Sequence, residues 1–243
     1  MRIRHLLAGS MLAATGAYWL LMSPYSQLLG RFPYRVGATR KLVALTFDDG
    51  PNEPFTSQIV DFLNERGIKA TFFQVGRCVE RYPGLTAKMA ADGHVIGVHG
   101  YSHEFHNCLT RRSIRAEMAK SRAVLLAALG VEPALFRPPW LLRTPALFAE
   151  LRKYSLQPVS GEFCHALEVF QPQARRIAHS TLAKARPGSI IIFHDGFDAR
   201  GGDRAQTVEA VKLSVEALGA AGYQFTTVDQ LLGVPAYHPP QPR

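Results

Sequence analysis

A chain of 243 residues, 47% hydrophobic and 19% charged, is too apolar for disorder and too mixed to lie wholly in a membrane. The net charge of +9 admits an anionic polymer or membrane as partner. Its basic residues are scattered, with no group tighter than the pairs Arg111-Arg112 and Arg175-Arg176, which argues against a nucleic-acid reader. In chain order, Arg2 and Arg4 precede an uncharged apolar stretch from Leu6 to Met22. It is long for a signal-peptide core and short for a bilayer span. Trp19 and Tyr25 favour an uncleaved anchor over a signal cut near Ala14 or Ala17, with the arginines cytoplasmic and the domain outside. Residues 1–25 are therefore read as anchor or signal. Residues 26–40, with Gly30, Pro33 and Gly37, are read as a linker or an extended segment lying on the domain.

The folded domain is expected over 41–235. Short apolar strands are predicted at 42–46, 71–75, 95–98, 135–136, 158–160, 189–193 and 224–227. Helical patterns lie between them: Ile59/Phe62/Leu63, then Ile114/Met118/Leu125/Leu129, then Val208/Val211/Val215/Leu218 ending at Gly222. Apolar runs without alternation belong to strands covered on both faces. Seven strands alternating with helices imply an α/β fold with a parallel sheet, open or closed into a barrel. The tail 236–243 is proline-rich and expected to be loose. Cys78, Cys108 and Cys164 form no C-x-x-C pair and read as small buried hydrophobes.

In such a sheet, chemistry collects at the strand C-terminal ends. Asp48 and Asp49 follow the first predicted strand, His99 and His103 the third, Arg137 and Trp140 the fourth, and His194 the sixth. His99 and His103 are four apart, so one helical turn would put both imidazoles on one face. That spacing is common by chance and gains weight only beside the carboxylates. Two histidines and one aspartate make a three-ligand site with an open position. Two adjacent acids at a buried strand end repel each other unless a cation sits between them. One can then be a ligand and the other a base. Arg137 supplies a fixed cation to orient that base, and His194 is a candidate general acid. His106 and Glu104 lie close enough to shape the ligand turn; His5, His165, His179 and His238 have no such placement.

Together these motifs resemble the polysaccharide deacetylase family, also called the NodB-homology domain or carbohydrate esterase family 4. "TFDDGP", "HGYSH", "RPPW" and "IIFHDG" match its motifs in order, with Trp140 where a tyrosine is usual. The resemblance implies a distorted, seven-stranded (β/α) barrel and metal-dependent hydrolysis of N-acetyl groups on amino sugars in a glycan or cell-envelope polysaccharide. It implies Asp48 as base and Asp49, His99 and His103 as ligands of one divalent metal, zinc first, with cobalt or nickel as alternatives. Arg137 would position the base. The Trp140 N–H would help hold the oxyanion, His194 would protonate the leaving amine, and Ile192 would line the acyl pocket beside Trp140. The family's Asp-Trp motif is absent, leaving Glu162 or Glu168 to support His194. Expected partners are the glycan and, through the N-terminus, the membrane; no obligate protein partner is evident. The domain would sit on the extracytoplasmic side, or be secreted if the N-terminus is cut. Two other readings stay open: a deacylase or deformylase of a lipid-linked amino sugar, and a non-catalytic carbohydrate-binding relative.

Overall fold

The run Leu42–Asp48 is β1, and the rest of the sheet is arranged around it. In this computed structural model, which describes residues 14–239, every β1 residue after Leu42 is buried. Along one edge β1 pairs with β7 (Ser189–His194). Along the other, β2 (Thr71–Gln74) takes its C-terminal half and β8 (Gln224–Thr226) its N-terminal half. With β3 (Val95–Val98), β4 (Leu135–Phe136), β5 (Gln157–Pro158) and β6 (Glu162–Phe163), the order is β5-β4-β3-β2-β1-β7-β6, β8 lying off this path. All pairings between these strands are parallel. β5 and β6 are two halves of one pass, pairing β4 at one end and β7 at the other. Counted so, the strands make seven passes of a distorted barrel.

The fifth strand, expected over 158–160, is thus displaced and split. The cause is local. The Ser160 N–H leaves the sheet to donate to the Pro33 carbonyl at 2.8 Å. A Cβ on Gly161 would lie 2.6 Å from Ile192 Cγ1, so the chain is pressed flat against β7 there.

Alternation along the strands sorts side chains into two layers. Val43, Leu45 and Phe47 face the helices, with Phe47 stacked on Phe72 (4.7 Å) and Phe193 (5.8 Å). Ala44, Phe73, Leu135, Val159 and Ile190 form the separate core inside the barrel. Residues of the same phase nearer the mouth, Thr46, Asp48 and His194, therefore rise toward the C-terminal rim. Helices Phe55–Glu65, Arg111–Leu129 and Ala205–Ala220 cover the outside where the apolar periodicity placed them. The Thr110 side chain accepts the Ser113 N–H to start the longest, and Gly130 at φ 71° ends it.

Residues 33–36 close the seam between the β5–β6 pass and β7. The Tyr34 carbonyl accepts the Ile190 N–H (3.2 Å), the Val36 N–H donates to Gly188 O (3.0 Å), and Arg35 bridges Ser189 antiparallel. The expected anchor lies partly outside the described residues. Residues 14–22 are helical, and among the described residues no helix is long and apolar enough to cross a membrane. Among the described residues all three cysteines are free thiols; Cys78 and Cys164 are buried and Cys108 is half-buried.

Candidate active site

Asp48 is the last residue of β1, opposite His194 of β7 in the ladder. Both enter one cleft of about 370 Å³, lined also by Asp49, His99, His103, Trp140, Phe163, Glu168 and Phe170. Asp49 lies past the strand at φ 74°, a left-handed conformation that turns its carboxylate back to the pocket Asp48 faces. Two glycines let the loops after β1 and β7 meet beneath it. A Cβ on Gly50 would fall 2.0 Å from Asp195 Oδ2, and one on Gly196 would fall 2.3 Å from the Asp49 carbonyl. Asp195 is a support and not a cleft group. Buried there, it takes the Thr56 hydroxyl at 2.5 Å, and burial pushes its pKa up to about 7.

Asp49, His99 and His103 converge. Asp49 Oδ1 is 3.3 Å from His99 Nε2 and 3.1 Å from His103 Nε2. One donor atom from each lies within 4.8 Å of the others. Burial pushes the Asp49 pKa up, but His103 and His99 beside it more than reverse this and hold it well below the usual carboxylate range. His99 Nδ1 is 2.8 Å from the Arg137 carbonyl. A carbonyl only accepts, so Nδ1 carries the proton and Nε2 presents its lone pair to the centre. Asp198 Oδ1 stands 3.0 Å from His103 Nδ1, a charge contact outside hydrogen-bond geometry. Burial lowers the His103 pKa, but Asp49 and Asp198 outweigh it and raise it to about 10.

The expected helical turn from His99 to His103 is absent. The segment is a bend through Gly100 (φ 79°) and His103 (φ 55°), and the rings sit 5.2 Å apart. Glu117, on the helix Arg111–Leu129, holds it. Its carboxylate accepts the Tyr101 N–H (2.9 Å), the Ser102 N–H (2.8 Å) and the Ser102 hydroxyl (2.8 Å). Glu104 instead pairs with Arg77 at 2.9 Å, and His106 lies 3.5 Å from Glu104, away from the three ligands.

Arg137 runs inside the barrel, fully buried. Nη1 donates to Asp48 Oδ1 (2.6 Å) and Thr46 Oγ1 (2.8 Å), Nη2 donates to the Ser160 carbonyl (2.8 Å), and the guanidinium lies 4.2 Å over the Phe73 ring. This fixes one carboxylate oxygen of Asp48 and leaves the other for the cleft. Across the mouth, His194 Nδ1 lies 2.6 Å from Glu168 Oε2, while Glu168 Oε1 accepts the Thr207 hydroxyl. Glu162 points elsewhere and accepts the Ser189 hydroxyl at 2.5 Å. The choice left open between the two acids thus falls to Glu168. Burial pushes the His194 pKa down, but Glu168 overrides it and raises it to about 9. Trp140, at φ 53°, lays its indole 4.4 Å from the His103 ring. Ile192 is fully buried one layer below His194 and is not among the cleft-lining residues. His165, set aside from sequence, does line the cleft.

The donor set suits a divalent cation. Asp49 Oδ1 is a buried carboxylate oxygen without a hydrogen-bond partner, facing two imidazole nitrogens. Two histidines and a carboxylate, all buried, form the three-ligand pattern that leaves a position for water or substrate.

The family described as polysaccharide deacetylase matches residues 35–159. A peptidoglycan-N-acetylglucosamine deacetylase of Bacillus cereus is 31% identical, over 84% of this chain and 93% of its own. A chitooligosaccharide deacetylase of Azorhizobium caulinodans is 31% identical, over 78% and 93%. A family 4 acetyl xylan esterase from Clostridium thermocellum, solved with a cobalt ion, superposes with TM-score 0.72 at 33% identity, over 81% and 94%.

Proposed function

The chain belongs to the polysaccharide deacetylase family, and from that premise we propose that it hydrolyses the N-acetyl group of an amino sugar in a glycan, with one divalent metal at Asp49, His99 and His103. The observation that carries this reading is the ring of groups about one cleft. A carboxylate tied to an arginine, a three-donor cluster and a carboxylate-bound histidine face the same space. The donor set favours zinc, with cobalt and nickel as alternatives.

An amide is a poor electrophile with a poor leaving group. When bound, the cation supplies Lewis acidity, which eases deprotonation of water and polarises the acyl carbonyl. Asp48 takes the proton of the attacking water through its free oxygen, while Arg137 holds the other. Thr46 and Phe73 keep Arg137 from turning away. The backbone N–H of Trp140, a cleft-lining residue in a left-handed conformation, would help hold the developing oxyanion. His194, charged below its raised pKa, gives its proton to the sugar nitrogen as the C–N bond breaks. Acetate and a free amine result. Phe163 and Phe170 offer aromatic surface for the sugar ring.

The uncharged stretch after Arg2 and Arg4 supports a site on the outer side of a cytoplasmic membrane. Acetate release from N-acetylchitooligosaccharides and from peptidoglycan tests the activity. Chelation should abolish it, and zinc or cobalt should restore it. Sugar binding with no metal-dependent acetate release would favour the carbohydrate-binding reading instead.

A further inference from the structure

A second groove opens at the end of the barrel remote from Asp48. His94 precedes β3 whereas His99 follows it, and Thr227 follows β8, which pairs with Leu42–Ala44 at the start of β1. Both residues line a groove of about 570 Å³, together with Asp229, Tyr237, Ala91 and Ala128. Small-molecule sites usually fall in the range of about 300–1,000 Å³.

Three of these side chains carry a buried polar atom with no hydrogen-bond partner: His94 Nε2, Thr227 Oγ1 and Asp229 Oδ1. His94 and Thr227 are each 2% exposed. An unpaired buried polar atom costs about 1–3 kcal/mol, so three beside one groove point to a ligand. Their chemistry is complementary. His94 Nδ1 accepts the Ala70 N–H (3.2 Å), so the ring proton is on Nε2 and that nitrogen donates. Burial, with Lys69 adding to it, lowers the His94 pKa to about 4 and keeps the ring neutral. Asp229 Oδ1 accepts, and the Thr227 hydroxyl can do either. The Tyr237 hydroxyl accepts the Ile96 N–H (3.0 Å) and keeps its own proton to give. A fitting ligand offers donors and acceptors side by side, as neighbouring hydroxyls do. The Asp229 carboxylate opposes an anion, and the His94 N–H opposes a cation. Ala91, Ala128 and the Tyr237 ring supply apolar wall for the C–H face of such a ligand.

We propose that this groove is a second ligand site, apart from the catalytic cleft, for an uncharged polyhydroxylated molecule the size of one sugar unit. The assignment stands on these atoms and not on the deacetylase reading. The full chain, labelled with nitrogen-15 at histidine, is titrated with methyl β-glucoside, which has no acyl group to be cleaved. The His94 ring signals should move saturably, while those of His99, His103 and His194 stay in place. Thr227→Val with Asp229→Leu should weaken binding about tenfold and leave acetate release and Tm unchanged. Ala91→Phe, at an exposed helix end, should obstruct the groove and weaken binding likewise. No saturable movement of His94 up to about 100 mM sugar, or equal affinity in both variants, overturns the proposal. If His94 responds while no N-acetyl glycan loses acetate, this site stands and the deacetylase reading falls.

Discussion

Replacing Glu168 by glutamine removes one buried charge and keeps an oxygen to accept from His194 Nδ1. The wild-type pair is short, 2.6 Å, with side-chain exposures of 12% for His194 and 2% for Glu168. It raises the His194 pKa from 6.5 to about 9 against the opposing pull of burial. At 1.36 kcal/mol per unit of pKa, that preference for imidazolium is about 3 kcal/mol. The sign follows. A raised pKa means the acid form is full below 6.5 and is lost as pH rises through about 9. Catalysis that needs the acid form therefore falls on the alkaline side. A cation at Asp49 offsets the pull of Asp49 and Asp48 on His194 and lowers this limb in both proteins, so the difference between them is what counts. In Glu168→Gln the alkaline limb of kcat should move down by about two pH units. With the limb moving from about 9 to about 7, turnover at pH 8.5 should fall about 25-fold, with much less loss at pH 6. The assay is acetate release across pH 5.5–10 on metal-loaded protein, with Tm alongside to exclude unfolding. An alkaline limb in the same place in both proteins would refute Glu168 as the source of the acid.

Asp48→Asn should retain bound metal by elemental analysis and lose about 10³-fold in kcat, whereas His99→Ala should lose the metal first. Arg137→Met strands the Asp48 carboxylate in a buried site. Scanning calorimetry should show a Tm lower by about 10 °C. Glu117→Ala frees the loop that presents His103. Competition with a chromogenic chelator should show metal affinity weaker by about 10- to 100-fold, with the fold intact by circular dichroism.

The strands and their functional ends were legible because both faces of the sheet are covered, so each strand is an apolar run that stops where chemistry starts. Asp48, Asp49, His99, His103 and His194 could be found that way. The conformation between His99 and His103 could not, since it is imposed by Glu117 from a helix that the sequence spaces many residues away. Glu162 and Glu168 looked equivalent for a similar reason. One lies on β6 facing Ser189, the other on a turn beyond it facing His194, and six residues of spacing do not reveal which reaches the cleft. Asp198 had no signal beyond a polar, glycine-rich loop. Ile192 illustrates the converse: strand alternation gives the face of a side chain but not its depth in the barrel.

The barrel borrows residues 33–36 to finish its wall, and that loan has a practical edge. A chain shortened to begin at Lys41 would keep every motif yet strip the partners from the Ile190 and Ser160 amides. It would bare an adhesive strip of β7 backbone, prone to pairing between molecules. Such a protein should come out of expression as oligomers or inclusion bodies while its sequence still looks complete.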